Sequence, residues 1–222
     1  MVDWDKVLNQ GCERRLIGNP VFPVWVNSSA FNSTPRFDSI VKPGMVCKEA
    51  SPDIMAELMS SILPANDVPA PPEINYGDRA AMVPVVLMNF SSPLSYISTN
   101  DVLEFMRSLG LLPADIRITD ILLRDYPLLS DGRQEYESYH NISVASKEVV
   151  SLGCTMQVQV SDDGTICSCY PAIKFDVSLG YFRASRTKHL ELKPVSCHNE
   201  VSKSWWIENC LFTAVPKEFY ER

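Results

Sequence analysis

The chain has 222 residues, 45% hydrophobic and 21% charged, enough to bury a substantial core and unlike the composition of a chain disordered throughout. Its net charge of −7 and isoelectric point near 5.0 argue against general nucleic-acid binding, which needs a field of Lys and Arg. The charge is uneven. Residues 174–222 hold 8 basic and 6 acidic residues (+2), and the rest hold 12 and 21 (−9), which sum to −7. Arg183, Arg186 and Lys188 lie in the basic part. They read either as charge guarding a strand edge or as a patch for an anionic partner.

At the start, Trp4, Val7 and Leu8 fall on one side of a short helix. From Asn19 to Met45, Pro20, Pro23, Pro35 and Pro43 interrupt a stretch rich in Val, Phe and Trp. Proline removes an amide donor and biases its predecessor to extended geometry, so this stretch is expected to be neither helix nor central strand. Its apolar content exceeds that of a disordered linker. The combination predicts an extended arm lying on an apolar surface of its own domain or of a neighbour, with Phe22, Trp25, Phe31 and Phe37 as interface candidates.

"SPDIMAELMSSILP" predicts a helix over 51–63. Ser51 caps it, Pro52 suits the first turn, and Ile54, Met55, Leu58, Met59 and Ile62 share one face. A helix this short is marginal alone and must dock, on its own chain or on a partner through Ile54, Leu58 and Met59. Residues 64–78, "PANDVPAPPEINYGD", read as a Pro-rich linker. Residues 1–78 are therefore expected to be an N-terminal arm with a docking helix, and 79–222 a β-rich globular domain.

In that domain, 80–90 reads as a buried strand, and 100–110 as a helix capped at Asn100 and ended by Gly110. Residues 114–127 fit either period and lean to strand. Residues 138–146 are a short strand candidate. Residues 148–185 give the clearest alternation, with a hairpin turn at Asp163-Gly164. Two more strands follow, in "HLELKPV" and "SWWIENCLFTAV". On a strand one of Trp205 and Trp206 faces inward, and the other is a candidate contact. The expected fold is β-rich α+β: an antiparallel sandwich or barrel-like domain with one or two helices, preceded by the extended Pro-rich arm.

The chemical inventory is thin. G-x-S-x-G, H-E-x-x-H and a Gly-rich phosphate loop are all missing from the sequence. Cys167 and Cys169 share a strand face, with Cys197, His198 and Cys210 beyond, but zinc knuckles use C-x-x-C turns. No metal, cofactor or catalytic residue is assigned. The seven cysteines, an odd number, and a start without a basic-then-apolar signal predict reduced thiols in a cytoplasmic compartment, or in a virion. No run approaches the ~18 apolar residues of a membrane span.

These features together point to a non-enzymatic structural or assembly protein. The leading expectation is a self-associating subunit of a viral-type capsid, matrix or cementing layer that uses its arm, with copies of itself or another structural protein as partner. The second is a monomeric or dimeric interaction or regulatory module. The third is an enzyme with a dispersed site around Cys154, Cys167, Cys169, His189 and His198. On the leading view, removing residues 1–45 leaves the domain folded and weakens assembly.

Overall fold

Among the described residues, alternating apolar positions build one large sheet with helices laid on it. The computed structural model describes residues 1–9, 21–27, 29, 31, 33–65, 81–90, 96–127, 147–161, 163–179, 184–195, 206–207 and 210–220. Outside the described residues lie the 66–78 part of the linker, the 138–146 strand candidate, Cys12, Arg183, Cys197, His198 and Trp205.

The strands are β1 (Val21–Val26), β2 (Ser39–Val41), β3 (Lys48–Glu49), β4 (Ile62–Pro64), β5 (Ala81–Asn89), β6 (Tyr96–Ile97), β7 (Leu111–Pro113), β8 (Glu148–Val150), β9 (Cys154–Gln159), β10 (Ile166–Leu179), β11 (Ala184–Pro194), β12 (Trp206–Ile207) and β13 (Cys210–Pro216). The helices are α1 (Trp4–Asn9), α2 (Pro52–Ser60), α3 (Thr99–Ser108) and α4 (Ile116–Asp125), with a 3₁₀ turn at Lys217–Phe219.

The main sheet runs β1-β5-β13-β8-β10-β11-β2-β3. Strand β7 continues along β13, β9 continues along β10, and β4 pairs with β9. Strands β6 and β12 make a separate pair. The fold is a sheet-dominated α+β fold whose sheet is mixed and not closed. The all-antiparallel expectation fails at two places: β2 lies parallel to β11 and β8 lies parallel to β13. Those neighbours are far apart in sequence, and a parallel pair needs a long connection that turn signals do not reveal.

Residues 21–41, read above as arm, contribute β1 and β2 to the sheet. Strand β1 alternates strictly: Phe22, Val24 and Val26 are buried, while Pro23 and Trp25 are exposed. Phe31, Phe37 and Ile40 are also in the core. The prolines do not forbid this, because Pro23 pairs with Pro84. Neither has an amide to donate, so the two must occupy a non-hydrogen-bonded position of the ladder, where nothing is lost.

Helix α4 corrects the strand reading of 114–127. Asp115 caps it, its Oδ1 accepting from the Arg117 amide at 2.8 Å, and also holds the Arg117 guanidinium at 2.8 and 3.0 Å. The helix lies so deep on the sheet that Ile116, Ile118, Ile121, Leu122 and Leu123 are all buried. Ile116 and Ile118 also alternate as they would on a strand, so a run this short fits both periods until its packing is known. Thr119 hydrogen-bonds the hydroxyls of Ser151 and Thr213 at 2.7 Å each and pins the helix to the sheet.

Helix α2 starts as expected, the Ile54 amide donating to Ser51 Oγ at 3.3 Å. It ends at Ser60, and the chain continues straight into β4. Helix α3 is capped by Ser98 rather than Asn100, its Oγ accepting from the Asp101 amide at 3.1 Å. Gly110 ends the turn at φ +74°, where a Cβ would stand 2.8 Å from the Met1 carbonyl oxygen. The hairpin between β9 and β10 turns at Gly164, φ +85°, as the Asp-Gly signal predicts.

Candidate interaction surface

Single exposed apolar side chains are ordinary, whereas several gathered into one patch mark an interaction surface. Strand β1 is the outer strand at one end of the sheet path, and its solvent face carries Pro23 and Trp25. The antiparallel register sets Trp25 opposite Met82 and Pro23 opposite Pro84. Trp25 is 59% and Met82 54% exposed. The four side chains form one apolar face on two paired strands.

Helix α4 supplies the rim. Arg124, Asp125 and Tyr126 flank a shallow groove beside Pro23, Trp25 and Asn27. Tyr126 packs edge-on against the buried Phe22 ring, centroids 5.2 Å apart, and its hydroxyl donates to the Pro23 carbonyl at 2.6 Å. Partial burial, then the nearby Asp125 charge, raise the pKa of this phenol, so it stays a donor. Arg124 Nε and Asp125 Oδ1 are 3.8 Å apart and both reach solvent.

The outward edge of β1 is blunted at the same place. In its non-hydrogen-bonded position Pro23 turns its nitrogen and its carbonyl away from β5. The nitrogen carries no hydrogen, and the carbonyl is taken by Tyr126. Proline and local capping are standard defences against strand addition. A partner here meets a face of side chains rather than a row of free amides.

The structure sorts the other candidates. Phe22, Phe31, Phe37, Leu58 and Trp206 are core residues and not exposed contacts. Phe31 lies under the Arg117 guanidinium at 4.0 Å, and Phe37 under the Lys188 ammonium at 4.7 Å. Trp206 donates its indole N–H to Thr99 Oγ1 at 3.0 Å and packs against Phe212 and Tyr170. Ile54 and Met59 are half-buried against their own core. Trp205 and Arg183 lie outside the described residues.

The basic patch does not form from its two described members. Lys188 closes on Asp120, and Arg186 stacks on Phe175 at 4.7 Å while donating to the Pro127 carbonyl at 3.0 Å. Both cations are engaged by their own chain. The described members of the dispersed Cys/His grouping also separate. Cys154 is buried beneath the Ile116 amide, Cys169 is buried and Cys167 half-buried on β10, while His189 on β11 reaches a different thiol, Cys47. Burial pushes the Cys154 thiol pKa far up, which makes it inert. Among the described residues, no three His, Cys, Asp or Glu converge as metal ligands do.

Of the exposed face, the sequence reading picks out Trp25 alone. Met82 and Pro84 sit in a run that reads as a buried strand with Pro84 placing its start near an edge, and Tyr126 follows a helix where the sequence leans to strand. The pairing of Pro23 with Pro84 that brings them together is a matter of register between remote segments, which no local pattern records.

No protein-family model, characterised protein or solved structure matches this chain.

Proposed function

We propose that this protein works by binding and assembly rather than catalysis, as a self-associating subunit that pairs through the Trp25–Met82 face. The observation that supports this most directly is the cross-strand pair of exposed Trp25 and Met82 on an outer strand. Desolvated Trp dominates protein contacts, and Met adapts to the surface it meets. A second copy is favoured as the occupant because the rim is self-complementary. Arg124 and Asp125 are adjacent, so a two-fold axis beside them can set the cation of one copy against the anion of the other. The blunted β1 edge favours face-to-face pairing over sheet extension.

On this reading the chain belongs to a viral-type capsid, matrix or cementing layer, working in a reducing, cytoplasm-like compartment or in the particle. The contact comes from the sheet face, and the Phe residues of the N-terminal segment stabilise the fold. No helix among the described residues is long and apolar enough to cross a membrane.

Light scattering after gel filtration, across a concentration and salt series, tests this on the full chain. The mass is expected to exceed the 24.9 kDa of one chain and to rise with concentration. Trp25→Asp should return it to monomer without lowering thermal stability, since the side chain lies mostly in solvent. A wild-type monomer at every concentration defeats self-association and turns the search to a different protein partner for the same face.

A further inference from the structure

Strand β11 lies parallel to β2, with His189 opposite Ser39, and the β2–β3 hairpin folds Cys47 back over this junction. Cys47 is exposed, and its Sγ stands 3.7 Å from His189 Nδ1. Ser39 Oγ hydrogen-bonds the same nitrogen. On the other side of the ring, Nε2 is 3.0 Å from Asp176 Oδ2 on β10. That contact is one of charge and distance, because Nε2 is buried and not aligned for a hydrogen bond. A thiol from the β2–β3 hairpin, an imidazole from β11 and a carboxylate from β10 thus meet in order.

From this geometry we infer that Cys47 is a nucleophilic cysteine, served by His189 and Asp176, that forms a mixed disulfide with an anionic low-molecular-weight disulfide of the glutathione type. His189 Nδ1 takes the thiol proton, and Asp176 faces the resulting imidazolium. The thiolate attacks one sulfur of the disulfide, a new S–S bond forms as the old one breaks, and the departing thiolate recovers the proton from His189. The protein sulfur is oxidised and one small thiol is released reduced, so atoms and electrons balance.

The surroundings favour this chemistry over acyl transfer. Cys47 stands on an open hairpin beside Val46, which is 84% exposed, and no cavity encloses it. Disulfide exchange needs an in-line approach and no oxyanion hole. The shallow hollow next to this hairpin is lined by the apolar Ile40, Met45 and Ile54 and by Lys42, Lys48 and Glu49. Two lysines against one glutamate leave the hollow net positive, which suits the carboxylates of a glutathione-type thiol. The other charges facing the junction are Lys174, in register with His189 and 3.9 Å from Asp176, and Glu49, in register with Ser39. Asp38 holds the Lys188 amide, and Lys188 turns to Asp120 on the opposite face.

The test treats the full chain with oxidised glutathione and maps the modified cysteine by mass spectrometry. Alongside, the rate of iodoacetamide labelling at Cys47 is followed from about pH 5 to 9 in wild type, His189→Gln and Asp176→Asn. Cys47 is expected to take the mixed disulfide ahead of the other thiols. Its labelling at about pH 6 should fall roughly tenfold in His189→Gln and by less in Asp176→Asn. Cys47→Ser removes the adduct. Should His189→Gln not fold, the wild-type profile and Asp176→Asn decide, since that carboxylate is largely exposed. A Cys47 profile that rises only around the ordinary thiol value of ~8.5, unmoved by either variant, overturns the inference. So does an adduct formed mainly at another cysteine.

Discussion

Thr119 shows what one buried hydroxyl does in this molecule. It sits on a fully buried turn of α4, and its oxygen meets the hydroxyls of Ser151 and Thr213, both in the core. Thr119→Val keeps the shape and removes the link. It leaves two buried hydroxyls without this partner, and such groups cost about 1–3 kcal/mol each when unsatisfied. The variant is expected to lose stability in that range in urea unfolding, with an unchanged m-value. A loss within ~0.5 kcal/mol would mean that Ser151 and Thr213 re-pair with each other. Trp25 behaves oppositely. It reaches solvent, so its replacement is expected to change association and leave folding alone.

At the scale of elements, strands β8, β10 and β11 turn their apolar side to α4 and carry a ladder of charges on the other. Lys193 Nζ bonds Glu148 at 2.8 Å and Glu191 at 2.6 Å, and Lys174 reaches both Glu191 and Asp176. Burial raises the Glu148 pKa against the pull of Lys193. For Glu191 burial acts upward too, but the hydrogen bond and charge of Lys193 prevail and lower it. The signs follow. Glu191 contributes stability that is present above its unfolded value near 4.5 and lost as pH falls through its lower folded value. Glu148 works the other way, with stability falling as pH rises from 4.5 through its higher folded value. Lys193→Met removes the shared cation, so both carboxylates become harder to ionise. The expected loss is roughly 1–2 kcal/mol near pH 7, after discounting for partial exposure, and smaller near pH 4. Urea midpoints at the two pH values measure it. An equal loss at both would assign Lys193 a packing role only.

For the whole molecule, the decisive question is whether residues 1–45 are separable. Strand β1 covers one side of β5, β2 covers one side of β11, and Phe22, Phe31, Phe37 and Ile40 fill the core between sheet and helices. Removing the segment would strip these contacts and expose Val83 and Val85. Burying a Phe of this kind is worth ~3–5 kcal/mol, so loss of several exceeds the whole stability of an ordinary domain. The truncated chain is expected to lack a cooperative thermal transition and its near-UV signal. A folded truncation with native-like melting would restore the arm reading.

How much of this was legible in advance depends on distance along the chain. Ser51-Pro52 at the start of α2, Asp163-Gly164 in the β9–β10 hairpin and the alternation of β9 and β10 are visible in the sequence, because capping, turn geometry and side-chain parity act within a few residues. The sequence by itself therefore determined a strand-rich chain with docked helices and a sizeable core. It did not determine which aromatics face inward, whether 116–125 is helix or strand, or that Cys47 meets His189 across 142 residues. Those were decided by strand register and by what each element packs against. A short run whose Ile116 and Ile118 also alternate hides α4, and the pairing of Pro23 with Pro84 makes a strand of a stretch whose prolines argue against one. Such choices are settled by the free energy of packing remote segments together, which no local pattern records.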